Sequence, residues 1–175
     1  RPGPLSRAKE HIKEYRLEEK IQTRLSDGLA NIKPGEADSL IMSGIGGILM
    51  MRLLQDEEHT AKSFKELILS PQSELFDVRR YLVSNGYLIE YEHMLCDEGK
   101  YYFIFHVLVK KDEREWLEEE YRYGKDICKD DMKTFLAYLE KEERQYEQIL
   151  EKMKQAPEND RAAQRIAQLH QDITC

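Results

Sequence analysis

Apolar residues fall into short unbroken runs along the first part of the chain and into a helical rhythm after it. The stretch Ile21 to Leu25 runs on into Ser26-Asp27-Gly28-Leu29, Asp38 to Met42 into Ser43-Gly44-Ile45-Gly46-Gly47, and Glu66 to Leu69 into Ser70-Pro71-Gln72. Short apolar runs bounded by turn-forming residues predict strands of an open parallel sheet. Helices over Ile48 to Leu54 and Ser73 to Asn85 then supply the crossovers. Gly86 to Glu92 and Lys100 to Val109, joined through Cys96-Asp97-Glu98-Gly99, predict long strands in an antiparallel hairpin.

From Asp112 the pattern changes. Trp116, Leu117 and Tyr121 open a helical segment, and Met132, Leu139, Tyr146 and Met153 recur every seven residues, with Phe135, Ile149 and Leu150 filling the seam. Past Pro157-Glu158-Asn159, the residues Ala162, Ile166, Leu169 and Ile173 alternate spacings of four and three. This predicts an antiparallel helical hairpin with coiled-coil packing. The expected organisation is an α/β unit over 1–110 followed by a helical hairpin over 111–175.

The predicted strand ends all carry small or polar residues, at the edge where open parallel sheets bind ligands. The glycines at 44, 46 and 47 remove side chains from one such end, so a flat cofactor or a base could lie against the backbone, facing the amides that open the next helix. The same glycines could instead serve helix-on-strand packing.

A hydrophobic share of 41% and a charged share of 35% describe a globular chain. Its longest apolar stretches fall far short of a membrane span. Cys96, Cys128 and Cys175 are odd in number and lack metal-ligand spacing, which implies reduced thiols, a cytoplasmic setting and no metal. The net charge of −7 argues against indiscriminate polyanion binding, so a nucleic-acid partner would need a local patch. Arg122, Lys125, Lys129 and Lys133 are the candidates, and three of them recur at i, i+4 and i+8. None of His11, His59, His93, His106 and His170 has a carboxylate or cysteine at a spacing that suggests catalysis.

The order of the motifs is more specific than any one of them. Gly3-Pro4-Leu5 with Ala8-Lys9, Arg24 to Leu29, Glu36-Ala37-Asp38, Ser43 to Gly47, Leu69 to Gln72, Arg79 to Leu82 with Asn85-Gly86-Tyr87, and Gly99 to Tyr102 resemble, in that order, the bacterial tRNA adenine-N1 methyltransferase family TrmK. That resemblance implies a Rossmann-like class I methyltransferase sheet, S-adenosylmethionine as cofactor and tRNA as partner. The reaction it implies is methylation of N1 of adenine twenty-two in the D-arm. It implies that Asp27, Gly28 and Leu29 frame the cofactor adenine, and that Ser43, Gly44, Ile45 and Gly46 line its methionine end. Ser70, Pro71 and Gln72 would flank the target base, and the helical hairpin would grip tRNA. Ile45, where the family often has Met, and Ser70-Pro71-Gln72, where it often has a Gln-Pro-Asn-type turn, depart from the pattern. The family's first strand, with its Gly-containing cofactor loop and ribose-binding acid, has no counterpart in these residues. The chain therefore reads as part of a longer protein whose first strands lie before Arg1. Because neutral adenine N1 already carries an in-plane lone pair, no general base is expected. Another Rossmann-fold methyltransferase, or a non-catalytic RNA-binding module in which the sheet is scaffold, are the alternatives.

Overall fold

A computed structural model of the chain describes residues 2–127 and 131–154. Helix α1 spans Pro2–Glu14, strand β1 Ser39–Ile45, helix α2 Gly47–Asp56, the single turn α3 Glu58–Ala61, strand β2 Glu66–Pro71 and helix α4 Leu75–Ser84. Strands β3, Leu88–Asp97, and β4, Lys100–Leu108, come next, then helices α5, Glu118–Tyr123, and α6, Met132–Lys154. The strands form one sheet in the order β1-β2-β4-β3. β1 and β2 are parallel, and β4 runs antiparallel to both its neighbours, β2 and β3.

Local chemistry accounts for the joints. α4 ends at a Schellman-type stop: Gly86 takes φ +80° and the Tyr87 N–H returns 3.0 Å to the Leu82 carbonyl. Glu98 and Gly99 both have positive φ, 48° and 77°, the signature of a type I′ turn, whose twist matches that of the strands it joins. That turn pairs Asp97 with Lys100 and lengthens β3 beyond the predicted Glu92, up to the turn itself.

One sheet face is the core. Leu67 and Leu69 of β2, Phe103, Phe105 and Val107 of β4, and Ile89 of β3 pack with Met50 and Leu54 of α2 and Val78 and Leu82 of α4. Each helical pair is spaced i, i+4, one face of its helix. Arg79 is the exception among these apolar groups: fully buried, its Nε and Nη2 donate to the Glu92 carboxylate at 2.8–3.0 Å. Its Nη1 donates to the Tyr121 and Arg122 carbonyls at 3.0 and 2.8 Å, which fastens the C-terminal end of α5 to α4 and β3. α6 adds Phe135 and Tyr138, the Tyr138 ring lying 5.3 Å from Tyr101 and 5.2 Å from Phe103.

The strand expected over Ile21 to Leu25 is absent. The segment is irregular, with Ile21 and Leu25 exposed, because no described strand offers it a ladder. Loop hydrogen bonds hold it instead: Arg24 pairs with Glu36, and the Asn31 side-chain amide donates to the Leu25 carbonyl at 2.9 Å. α4 begins at Leu75, two residues later than expected, since Ser73 and Glu74 form the turn into it. α5 begins at Glu118, leaving Trp116 and Leu117 outside the helix. On α6 the heptad residue Met132 is exposed, and among the described residues Phe135 and Tyr138 reach the core. The partner helix of the expected coiled coil, Ala162 to Ile173, lies outside the described residues. Among the described residues no helix is long and apolar enough to cross a membrane, and no group of three or more His, Cys, Asp or Glu is placed to hold a metal.

Candidate functional site

Parallel pairing carries the ends of β1 and β2 to one edge. Ser43 stands opposite Ser70 and Ile45 opposite Pro71, with the register shifting at Gly44 between them. The Gln72 N–H then donates to the Ile45 carbonyl at 2.9 Å, so the turns that leave the strands are tied together. Two motifs 27 residues apart in sequence, read from Ser43 to Ser70, thus become neighbours.

The glycines between β1 and α2 divide into different roles. A Cβ on Gly47 would stand 2.5 Å from the Ser73 carbonyl oxygen and 2.7 Å from Val78, and one on Gly46 3.0 Å from the Ser73 hydroxyl. What lies against that backbone is therefore the chain's own turn at Ser73 and Glu74. Gly44 differs: it has φ +76°, and a Cβ there would meet nothing within 4 Å. Its bare face is the part of the glycine-rich run left open to a ligand. Glu74, with φ +52°, carries the left-handed conformation that a residue with a side chain adopts at some cost.

Side chains at this edge face different ways. Ser43 and Ser70 line a shallow cavity of about 570 Å³ on the uncovered sheet face, with Met42, Ile68, Tyr102 and Ile104. Pro71 and Gln72 line a separate cleft of about 480 Å³ between the β2 end and α6. Its walls include Lys100, Tyr101, Arg122, Tyr138 and Lys141. Burial pushes the Tyr138 hydroxyl pKa well up, so the ring is a neutral wall of that cleft.

Asp27 is exposed and Gly28 takes φ +55°, with a Cβ there 2.4 Å from Leu53 of α2. Leu29, by contrast, is committed to the core at 6% exposure. Of the expected basic patch, Arg122 reaches the cleft, where its guanidinium lies 5.8 Å from the Phe76 ring. Lys125 is engaged internally: its Nζ donates to Glu120 at 2.7 Å and lies 5.3 Å from the Trp116 ring. Lys133 is exposed on the first turn of α6, and Lys129 lies outside the described residues. α5 ends at Tyr123 and α6 starts at Met132, so Lys125 and Lys133 do not share a continuous helical face.

Other groupings were not foreseen. Lys100 and Lys141 bring cations to the cleft from β4 and α6, and no local spacing connects either to Gln72. His106 departs from the expected lack of a His-carboxylate constellation: its Nε2 lies 2.8 Å from Glu66 Oε2, and Glu90 Oε2 stands 2.8 Å from Nδ1 without hydrogen-bond geometry. Strand pairing assembles this group where β2 begins and β4 nears its end, away from the Ser43/Ser70 edge, and the Tyr91 ring covers it at 4.7 Å.

The matching family model is TrmK, tRNA (adenine(22)-N(1))-methyltransferase, and it covers residues 1–175. The chain belongs to the TrmK family. It is 27% identical over 173 residues to the tRNA (adenine(22)-N(1))-methyltransferase of Bacillus subtilis (strain 168), covering 95% of this chain and 72% of that protein. The crystal structure of the B. subtilis m1A22 tRNA methyltransferase TrmK superposes with a TM-score of 0.83 at 25% identity, covering 98% of this chain and 75% of that one. The structure of M. capricolum TrmK in complex with S-adenosylhomocysteine shares the fold, with a TM-score of 0.77 at 22% identity, covering 99% and 77%.

Proposed function

We propose that the protein transfers the methyl group of S-adenosylmethionine to N1 of adenine 22 of tRNA, at the edge where β1 and β2 end. The observation that carries the reading is the meeting of Ser43–Gly46 with Ser70–Gln72 through the Ser43/Ser70 and Ile45/Pro71 pairings. The matching family and the Bacillus enzyme's activity support it. The residues present fit part of the cofactor. The bare side of Gly44 accepts a group in van der Waals contact with the main chain, and the exposed Asp27 carboxylate can accept from an exocyclic amine. Asp27 and Gly28 would then hold the adenine end, the main chain at Leu29 would contribute while its side chain packs inward, and Ser43, Gly44, Ile45 and Gly46 would hold the methionine end. Bound there, S-adenosylmethionine supplies an electrophilic sulfonium methyl.

Ser70, Pro71 and Gln72 position the target base. Because adenine N1 attacks with a lone pair it already has, these residues need to hold it in line and exclude water; effective molarity is the source of rate. In this reading residues 1–110 form a class I methyltransferase unit whose sheet ends in the β3/β4 hairpin, and residues 111–175 form a coiled-coil appendage for tRNA. Arg122, Lys129 and Lys133 are its proposed phosphate contacts, Arg122 being the one beside the target-base turn, and Lys125 would have to leave Glu120 to join them. Nucleoside mass spectrometry of tRNA from a strain lacking the gene tests the assignment. Loss of 1-methyladenosine at that position is the expected result, and an undiminished level refutes it.

A further inference from the structure

Gln72 carries an amide that can present either its oxygen or its NH₂ to a ligand, and its neighbours decide which. Lys100 Nζ donates to Gln72 Oε1 at 2.7 Å. An ammonium has donors and no acceptor, so the carboxamide oxygen must face it and the NH₂ must face away. Lys100 is itself held: its Nζ lies 4.8 Å from the centre of the Tyr102 ring. It is also the first residue of β4, directly after the type I′ turn, where Lys141 of α6 donates to the Gly99 carbonyl at 2.7 Å and lies 5.1 Å from the Tyr101 ring. The Gln72 main chain is fixed independently through its N–H to the Ile45 carbonyl.

We infer that Lys100 is a positioning residue that presents Gln72 to the target base as a hydrogen-bond donor. This rests on the reading above, in which Gln72 flanks the target adenine. A donor at that place seeks an acceptor on the base, which in adenine means a ring nitrogen other than the N1 that is methylated. The exocyclic amine, a donor itself, is not what Gln72 reads.

The test is steady-state methylation of tRNA by the intact protein, with Lys100→Met, Lys100→Arg, Gln72→Ala, Gln72→Glu and the double variant Lys100→Met/Gln72→Ala. Lys100→Met is expected to lower kcat about tenfold or more, since a small misplacement of a reacting group costs that much. Affinity for S-adenosylmethionine and the thermal midpoint should not change. Lys100→Arg should restore most of the rate. Gln72→Glu keeps the partner of Lys100 but has no NH₂ to offer, so it should fall as far as Gln72→Ala. In the double variant the Lys100 substitution should add nothing to Gln72→Ala, because Lys100 acts through Gln72. Effects that multiply in the double variant, or a Lys100→Met loss confined to the KM for tRNA and erased by salt, would make Lys100 an independent phosphate contact and overturn the inference. So would an unaltered Lys100→Met enzyme beside an active wild type. A wild type that forms no 1-methyladenosine would instead bring down the functional reading, and this inference with it.

Discussion

A Cβ built on Gly47 would stand 2.5 Å from the Ser73 carbonyl oxygen, whereas one built on Gly44, three residues earlier, would meet nothing within 4 Å. The contrast separates a packed glycine from an open one within a single glycine-rich run. Gly47→Ala must push a main-chain atom aside, so it should destabilise the fold by about 1–3 kcal/mol, the usual cost of overpacking. Gly44→Ala meets open space but must hold φ +76°, at a cost of about 1 kcal/mol; its larger effect should be on cofactor affinity. Thermal melts and calorimetric titration of both variants check the pair, and equal cofactor losses at equal stability would show that the division is wrong. Asp27→Ala belongs at this scale too. Losing a hydrogen bond to a charged group costs about 1.5–3 kcal/mol, so S-adenosylmethionine should bind roughly ten- to hundredfold more weakly while tRNA binding holds. From the sequence, the meaning of these glycines was open, because a Gly-rich turn serves either purpose and only the position of Ser73 distinguishes them.

Among the elements, polar clusters join the segment after β4 to the sheet itself. Arg79 of α4 and Glu92 of β3 have side chains 0% and 3% exposed, and the same guanidinium holds the last carbonyls of α5. Arg79→Ala would leave the Glu92 carboxylate buried without its partner, which should cost about 3–5 kcal/mol in a denaturant melt. Asp112 orients the second joint: its carboxylate accepts from the Arg114 main chain and guanidinium and from the Trp116 indole N–H, at 2.7–3.0 Å, and the same guanidinium donates to the Ile89 carbonyl of β3 at 2.5 Å. Burial alone would raise its pKa, but the hydrogen bonds from Arg114 and Trp116 outweigh it and hold the value below the ordinary 3.8. A depressed folded pKa gives stability that is fully present above the unfolded value and lost as pH falls through the folded one. Asp112→Asn should therefore cost about 1–3 kcal/mol at neutral pH. Its deficit relative to the wild type should shrink below about pH 4, as seen in melts across that range. Arg79 stood in the sequence as part of an ordered motif, with no structural role attached to it. Nothing in its local spacing marks a partner 13 residues away across a helix and a strand, or a carbonyl 42 residues on.

Over the whole molecule, these joints tie the segment after β4 to the sheet. Ile127 is buried with the core and Phe135 and Tyr138 pack on it from α6, so described residues after 110 share the core of the sheet. Removing residues 128–175 should spare cofactor binding while weakening tRNA binding; removing 112–175 should also unsettle the sheet, by baring Arg79 and Glu92. Circular dichroism melts of both truncations, with cofactor and tRNA titrations, distinguish these outcomes, and a 112–175 deletion as stable as the shorter one would refute the joint. The strands at Ser39–Ile45, Glu66–Pro71 and Lys100–Leu108, the crossover helices and the hairpin turn were legible in the sequence, because apolar runs, helical spacing and turn residues are local signals. The sequence also carried the ordered motifs that place the chain in its family. Ile21 to Leu25 read as a strand for the same local reasons, yet a strand exists only where a neighbour supplies the other half of its ladder, and that is not a property of the segment. Tertiary structure settled that point, as it settled which glycine has open space beside it, that Lys125 and Lys133 leave one another's helix, and that Lys100 meets Gln72. Each of these depends on atoms that backbone hydrogen bonding and apolar burial bring together from distant parts of the chain.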